Sequence, residues 1–168
     1  FGVYAIASVF VILLQGMMYG GIYDYIIKSR SEALEPNTCF WMNFGFSVAG
    51  AGVVAVLAPV MGALTHTPLV SSLMLVLAPS ALVAAVATWQ EALLLREGRL
   101  TLYYTLGIVT ETLACAGAVT ALLGGLGVWS YVVYRYAQLG LAGLGYFALM
   151  RQVPRLEWHH GVARRVFA

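Results

Sequence analysis

The sequence predicts an all-α fold, a polytopic bundle of helices that crosses a membrane five times. Three observations predict it. Of 168 residues, 61% are hydrophobic and only 10% are charged, whereas soluble domains run at about 45–50% and about 25%. Apolar runs of about 20 residues, the length a helix needs to cross the hydrocarbon core, recur along the chain between short connectors. No run shows the alternation with period two, over about ten residues, that marks a membrane barrel strand. A soluble domain and a disordered chain are both excluded, the latter because disorder requires low hydrophobicity. The net charge of +2 is small and scattered, which leaves no electrostatic footprint for nucleic acid.

The first span runs from about Tyr4 to Ile27, the second from about Phe40 to Leu64 and the third from about Leu69 to Leu95. The fourth runs from about Leu102 to Leu123 and the fifth from about Trp129 to Met150. Their connectors read KSRSEALEPNT, THTP, REGRLT and GGLGV, each broken by charge, Pro or Gly. Connectors this short make neighbouring helices antiparallel. Pro59 and Pro79 fall inside the second and third spans and are expected to kink them. Gly45, Ala49, Gly50 and Gly52 in the second span, and Gly140, Gly143 and Gly145 in the fifth, are expected to let helices approach closely.

Basic residues orient the bundle, because Lys and Arg are retained on the cytoplasmic side. Lys28 and Arg30 lie in the first connector, Arg96 and Arg99 in the third, and Arg151, Arg155, Arg164 and Arg165 after the fifth span. Eight of the nine basic residues thus fall on one side. The N-terminus is placed outside and the C-terminal tail in the cytoplasm. A chain that starts at Phe1, outside and directly before a span, lacks a segment to translocate its N-terminus. Residues 1–168 therefore read as one membrane domain within a longer polytopic protein.

Ionisable side chains within spans cost about 2.5–3.5 kcal/mol on insertion and by default mark a function. Asp24 lies one turn before Lys28, and an i,i+4 pair at a helix end explains it structurally. Glu91 approaches the cytoplasmic interface beside Trp89, a residue suited to an interfacial belt, so anchoring is its expected role, with the wall of a cytoplasmic mouth as the alternative. Glu111 sits midway along the fourth span, and Arg135 lies about two turns inside the fifth. Folding these spans back about Leu126 brings Arg135 level with Gly117, about 9 Å of rise from Glu111. Two readings of Arg135 stand: a snorkelling cation among Tyr131, Tyr134 and Tyr136, or a cation in a water-filled cavity, available to an anionic substrate. Gln15, Asn43 and Gln138 read as polar glue between helices.

No metal-ligand spacing, nucleophile elbow, P-loop or pair of carboxylates at one depth occurs. Cys39 and Cys115 fit neither a disulfide framework nor a zinc site. The expectation is a non-enzyme with no metal and no cofactor.

Several short segments, in order and spacing, resemble the N-terminal half of a Wzx-type oligosaccharide flippase, the polysaccharide-transporter branch of the multidrug/oligosaccharidyl-lipid/polysaccharide (MATE-like) exporter superfamily. Phe1-Gly2-Val3-Tyr4-Ala5 is similar to the segment leading into that family's second helix, and Gly20-Gly21-Ile22 through Ile26-Ile27-Lys28 to the end of the same helix. Phe40-Trp41-Met42-Asn43 resembles the start of the third helix, and Gln90-Glu91-Ala92-Leu93-Leu94-Leu95-Arg96 through Arg99-Leu100 the amphipathic exit from the fourth. Gly125-Leu126-Gly127-Val128-Trp129-Ser130 resembles the turn between the fifth and sixth.

The resemblance implies that the chain holds helices two to six of a transporter of about twelve. It implies translocation of undecaprenyl-pyrophosphate-linked oligosaccharide repeat units across the bacterial inner (plasma) membrane for O-antigen, capsule or exopolysaccharide synthesis. The implied partners are the lipid-linked oligosaccharide, the bilayer, and a glycan polymerase or glycosyltransferases. Arg135 is the candidate for binding the substrate headgroup, and Glu111 and Asp24 are candidates for ion coupling or a charge pair. The alternatives are a drug exporter of the same superfamily, or an enzyme or scaffold of glycan assembly.

Overall fold

A computed structural model of the protein describes residues 8–9, 16, 22–28 and 34–156. Six helices are labelled α1 (Asp24–Lys28), α2 (Leu34–Leu64), α3 (Pro68–Leu77), α4 (Ser80–Arg96), α5 (Leu100–Leu123) and α6 (Trp129–Met150). No strand occurs among the described residues, so the fold is all-α as expected. Most of the first predicted span, Gln15 included, and the side chains of Asp24 and Lys28 lie outside the described residues.

Among the described residues, three segments, Pro36–Leu64, Pro68–Arg96 and Leu100–Leu123, are long and apolar enough to cross a membrane. The 22 residues of α6 rise about 33 Å, a comparable length, but carry Arg135, Gln138 and four tyrosines. Helix α2 opens at Leu34 rather than at Phe40. Pro36 does not delay it, because a proline in the first turn lacks only an N–H that would have had no partner there.

The chain turns between α2 and α3 at His66, whose φ of 50° lets the Thr67 N–H reach back to the Gly62 carbonyl at 3.1 Å. Pro68 then supplies a preset φ at the first position of α3. Gly62 permits the close approach that follows, since a Cβ there would lie 2.9 Å from Ser71 Cβ. The expected disturbance at Pro79 is present: the helix is interrupted between α3 and α4. Pro79 has no N–H for the usual bond, and the chain crosses the gap with tighter i to i+3 bonds, Ala81 N to Ala78 O at 3.2 Å and Leu82 N to Pro79 O at 3.0 Å. Helix α2, by contrast, runs through Pro59 without a break.

The core lies along the seam between α2 and the α3–α4 pair. Val54 and Ala58 pack on Val70, Leu73, Met74 and Leu77 toward one end. Toward the other, Cys39, Phe40 and Met42 pack on Trp89, Ala92 and Leu93, together with Ile22 and Ile26. Trp89 is a core residue here and not part of an interfacial belt. It is 2% exposed, meets Phe40 edge-on at 5.4 Å, and donates its indole N–H to the Pro36 carbonyl at 2.8 Å.

Helices α5 and α6 form an antiparallel hairpin around Gly125 (φ 86°) and Gly127 (φ 53°), backbone positions that favour glycine. Tyr103 stacks on Tyr146 with centroids 6.4 Å apart, and Gly145 lies against Leu106. Both contacts match the fold-back register about Leu126. Among the other expected small-residue contacts, Gly143 meets Ala87 Cβ at 3.7 Å, while Gly45, Gly52 and Gly140 face open space. Gly45 and Gly52 sit on the exposed face of α2, whereas Gly140 borders an apolar cavity shared with Phe44 and Leu82.

After α6, Arg151 takes a left-handed conformation (φ 49°) and the chain turns back across the end of the bundle. Trp41 Nε1 donates to the Arg155 carbonyl at 2.9 Å, and the Arg155 N–H donates to Asn37 Oδ1 at 3.3 Å. Arg96, Arg99, Arg151 and Arg155 therefore gather at one end of the bundle, where α2 and α5 begin and α4 and α6 end.

Candidate functional site: a charged cavity between three helices

The centre of the α5–α6 hairpin faces α4 across a cavity of about 190 Å³. Thr88 and Glu91 of α4, Thr110 and Glu111 of α5, and Arg135 and Gln138 of α6 line it. Each is carried on a mainly apolar helix, so the polarity is concentrated inward.

The two charges singled out in the sequence do meet at this cavity, but through an intermediary. Arg135 Nη1 donates to Gln138 Oε1 at 2.8 Å, and Gln138 Nε2 donates to Glu111 Oε2 at 2.8 Å. The other carboxylate oxygen, Glu111 Oε1, accepts the Tyr134 hydroxyl. Geometry explains the bridge. In the fold-back register Gln138 comes level with Ala114, about 4.5 Å of rise from Glu111, half the offset of Arg135. Gln138 is also one turn beyond Arg135 on α6, where i,i+3 side chains meet. Arg135 thus turns into the cavity rather than outward among the tyrosines. Tyr136 does point away, donating to the Val76 carbonyl at 2.6 Å in the last turn of α3.

Glu91 lines the same cavity. Its Oε1 accepts the hydroxyl of Tyr23, the residue before α1, at 2.7 Å. Tyr103 of α5 also hydrogen-bonds this carboxylate. Asp24 follows Tyr23 in the chain, but its side chain lies outside the described residues.

Of the contributors, Gln138, read as polar glue, does join α6 to α5, Glu91 had a lining role only as its second reading, and Tyr134 was missed. Gln138 was legible as the bridge, since the register that placed Arg135 near Glu111 places Gln138 nearer still. Tyr134 carried no distinguishing signal within a run of tyrosines. The inward aim of Glu91 depends on the rotation of α4, which an almost uniformly apolar helix does not encode. Asn43, read as polar glue, is buried with its Oδ1 unpartnered among the described residues.

Long apolar helices around a charged, hydrogen-bonded cavity define a polytopic membrane protein with a polar site between its helices. The chain belongs to the polysaccharide biosynthesis protein family, which it matches over residues 1–168. No curated protein and no solved structure matches it. The Wzx-like resemblance is borne out at the level of the family, and with it a membrane role in polysaccharide biosynthesis.

Proposed function

We propose that the chain forms helices two to six of a transporter of about twelve helices, one that flips undecaprenyl-pyrophosphate-linked oligosaccharide repeat units across the bacterial inner membrane. The observation that carries this reading is Arg135. Its guanidinium holds five N–H donors, lines a cavity between membrane-length helices, and is tied to the protein through one amide. A pyrophosphate-linked headgroup cannot cross hydrocarbon unaided, and a guanidinium offers it charge-assisted, bidentate hydrogen bonds. Glu111 acts as the counter-charge that positions Arg135 through Gln138. In this reading the protein is a carrier and not an enzyme. The end of the bundle rich in arginine faces the cytoplasm, and the glycan polymerase or glycosyltransferases of the same assembly route are its partners. Gathering Arg96, Arg99, Arg151 and Arg155 at one end supports that orientation.

The test is complementation with the full-length gene product in cells lacking it, reading surface polysaccharide. Arg135→Ala is expected to abolish display while the protein still accumulates in the membrane, and Arg135→Lys to retain part of it. Undiminished display by Arg135→Ala would overturn the assignment.

A further inference from the structure

Two carboxylates share the cavity and both meet tyrosine hydroxyls, Glu111 Oε1 through Tyr134 and Glu91 through Tyr23, but only Glu111 is also tied, at Oε2, to a permanent positive charge through an amide. A guanidinium can only donate, so Arg135 fixes the Gln138 amide with its oxygen toward Arg135 and its NH₂ toward Glu111. An NH₂ group also only donates, which makes Glu111 Oε2 an acceptor. The chain Arg135 to Gln138 to Glu111 therefore has one direction, and a permanent charge sets it. A proton on Glu111 Oε2 would face an N–H, and turning the amide to accept it would set an NH₂ against the guanidinium. Glu91 is held differently. Tyr23 and Tyr103 present hydroxyls, and a hydroxyl both donates and accepts. The surroundings of Glu91 serve a carboxylate and a carboxylic acid equally.

We propose that Glu91 is the group in this cavity that takes up and releases a proton, while Glu111 serves as the fixed end of the Arg135–Gln138 chain. This deepens the proposed function, since it rests on the cavity being the working site of a carrier. The step is a simple protonation: one proton from water adds to the Glu91 carboxylate, forms an O–H bond, and leaves by the reverse path, with no electron transfer. The charged and titratable groups around it are Tyr23 beside α1, Tyr103 and Glu111 on α5, and Arg135 and Tyr146 on α6.

The charge inventory gives the proton a purpose. With both carboxylates ionised, Glu91, Glu111 and Arg135 leave the cavity with one excess negative charge. An anionic group approaching Arg135 then meets net repulsion, which is strong where water is scarce. Protonating Glu91 removes the excess and leaves the guanidinium able to attract. Proton uptake and anion binding then strengthen each other, and linkage makes the effect reciprocal.

The experiment is a pH-difference infrared titration of the purified full-length protein in lipid nanodiscs, following the C=O stretch of protonated carboxyl groups. Wild type is expected to gain a band on acidification that is missing from Glu91→Gln and kept by Glu111→Gln. A band that survives Glu91→Gln, or that vanishes in Glu111→Gln and not in Glu91→Gln, overturns the proposal. Glu91→Asp guards against collapse of the cavity: it is expected to keep the band at a shifted frequency, and an unshifted band counts against Glu91. The titration needs no substrate, so its failure is distinct from failure of the transport reading. If Arg135→Ala displays polysaccharide normally and the band still follows Glu91, the anion site falls and the proton site stands.

Discussion

The α2/α3–α4 seam and the α5–α6 hairpin both pack closely, but only the hairpin adds a network of side-chain hydrogen bonds around a charged pair. Half of the most apolar window of Pro68–Arg96 is buried inside the protein, but only 11% of that of Leu100–Leu123. The seam is dry and interlocked: Leu73, Met74 and Val70 are fully buried, and Gly62 lets the backbones close in. Helix α5 instead turns Ile108, Leu113 and Leu122 outward and meets α6 both by close packing, Leu106 against Gly145 and Tyr103 on Tyr146, and through a polar stripe centred on Glu111. Lipid tails are as apolar as leucine, so burying apolar area does little to join helices in a bilayer. What remains is tight packing, used in both regions, and hydrogen bonding between side chains, which the hairpin adds around Glu111. Chemistry can be hosted only where the second means is used.

Three measurements test this contrast, all by unfolding of the purified full-length protein in mixed micelles. The largest effect is expected from Gln138→Leu, which removes two charge-assisted hydrogen bonds at once and should cost about 3 kcal/mol. Leu73→Ala should cost roughly 2 kcal/mol. Its penalty is mainly the cavity left behind, because the transfer part of the usual Leu→Ala loss shrinks when the alternative surroundings are lipid. A Leu73→Ala penalty well above that of Gln138→Leu would mean that packing dominates both regions. The smallest change is expected from Leu123→Ala. That side chain is 82% exposed, and its removal should fall within about 0.5 kcal/mol. A larger loss there would show that the outer face of α5 is covered by protein rather than lipid.

The contrast also explains what could be read in the sequence. Helix lengths follow from the apolar runs, and the ends of α6 fall at Trp129 and Met150 as expected. The hairpin register follows from the position of its glycine turn, so Tyr103 against Tyr146 was within reach. Pro79 marked its break because a missing N–H acts locally. Rotation about the helix axis was not readable. Apolar residues surround α2 and α4 on nearly every side, as expected of helices in lipid. Nothing in such a pattern says that Gly45 and Gly52 face outward, that Trp89 faces the core, or that Glu91 faces the cavity. In the hairpin, a lone Glu and a lone Arg on facing helices revealed the site, whereas the amide between them was obscured by its mildness.

The return of residues 151–156 across the end of the bundle has a mechanical consequence. Those residues leave α6, yet they are fastened to α2 through Asn37 and Trp41. A pull on the chain beyond Leu156 is therefore delivered first to the start of α2. From there Trp89, gripping the Pro36 carbonyl, hands the load to α4, two residues before Glu91. The strap thereby joins the end of α6 to the start of α2 and also to α4, where Gln90 Nε2, one residue before Glu91, donates to the Gln152 carbonyl at 3.5 Å.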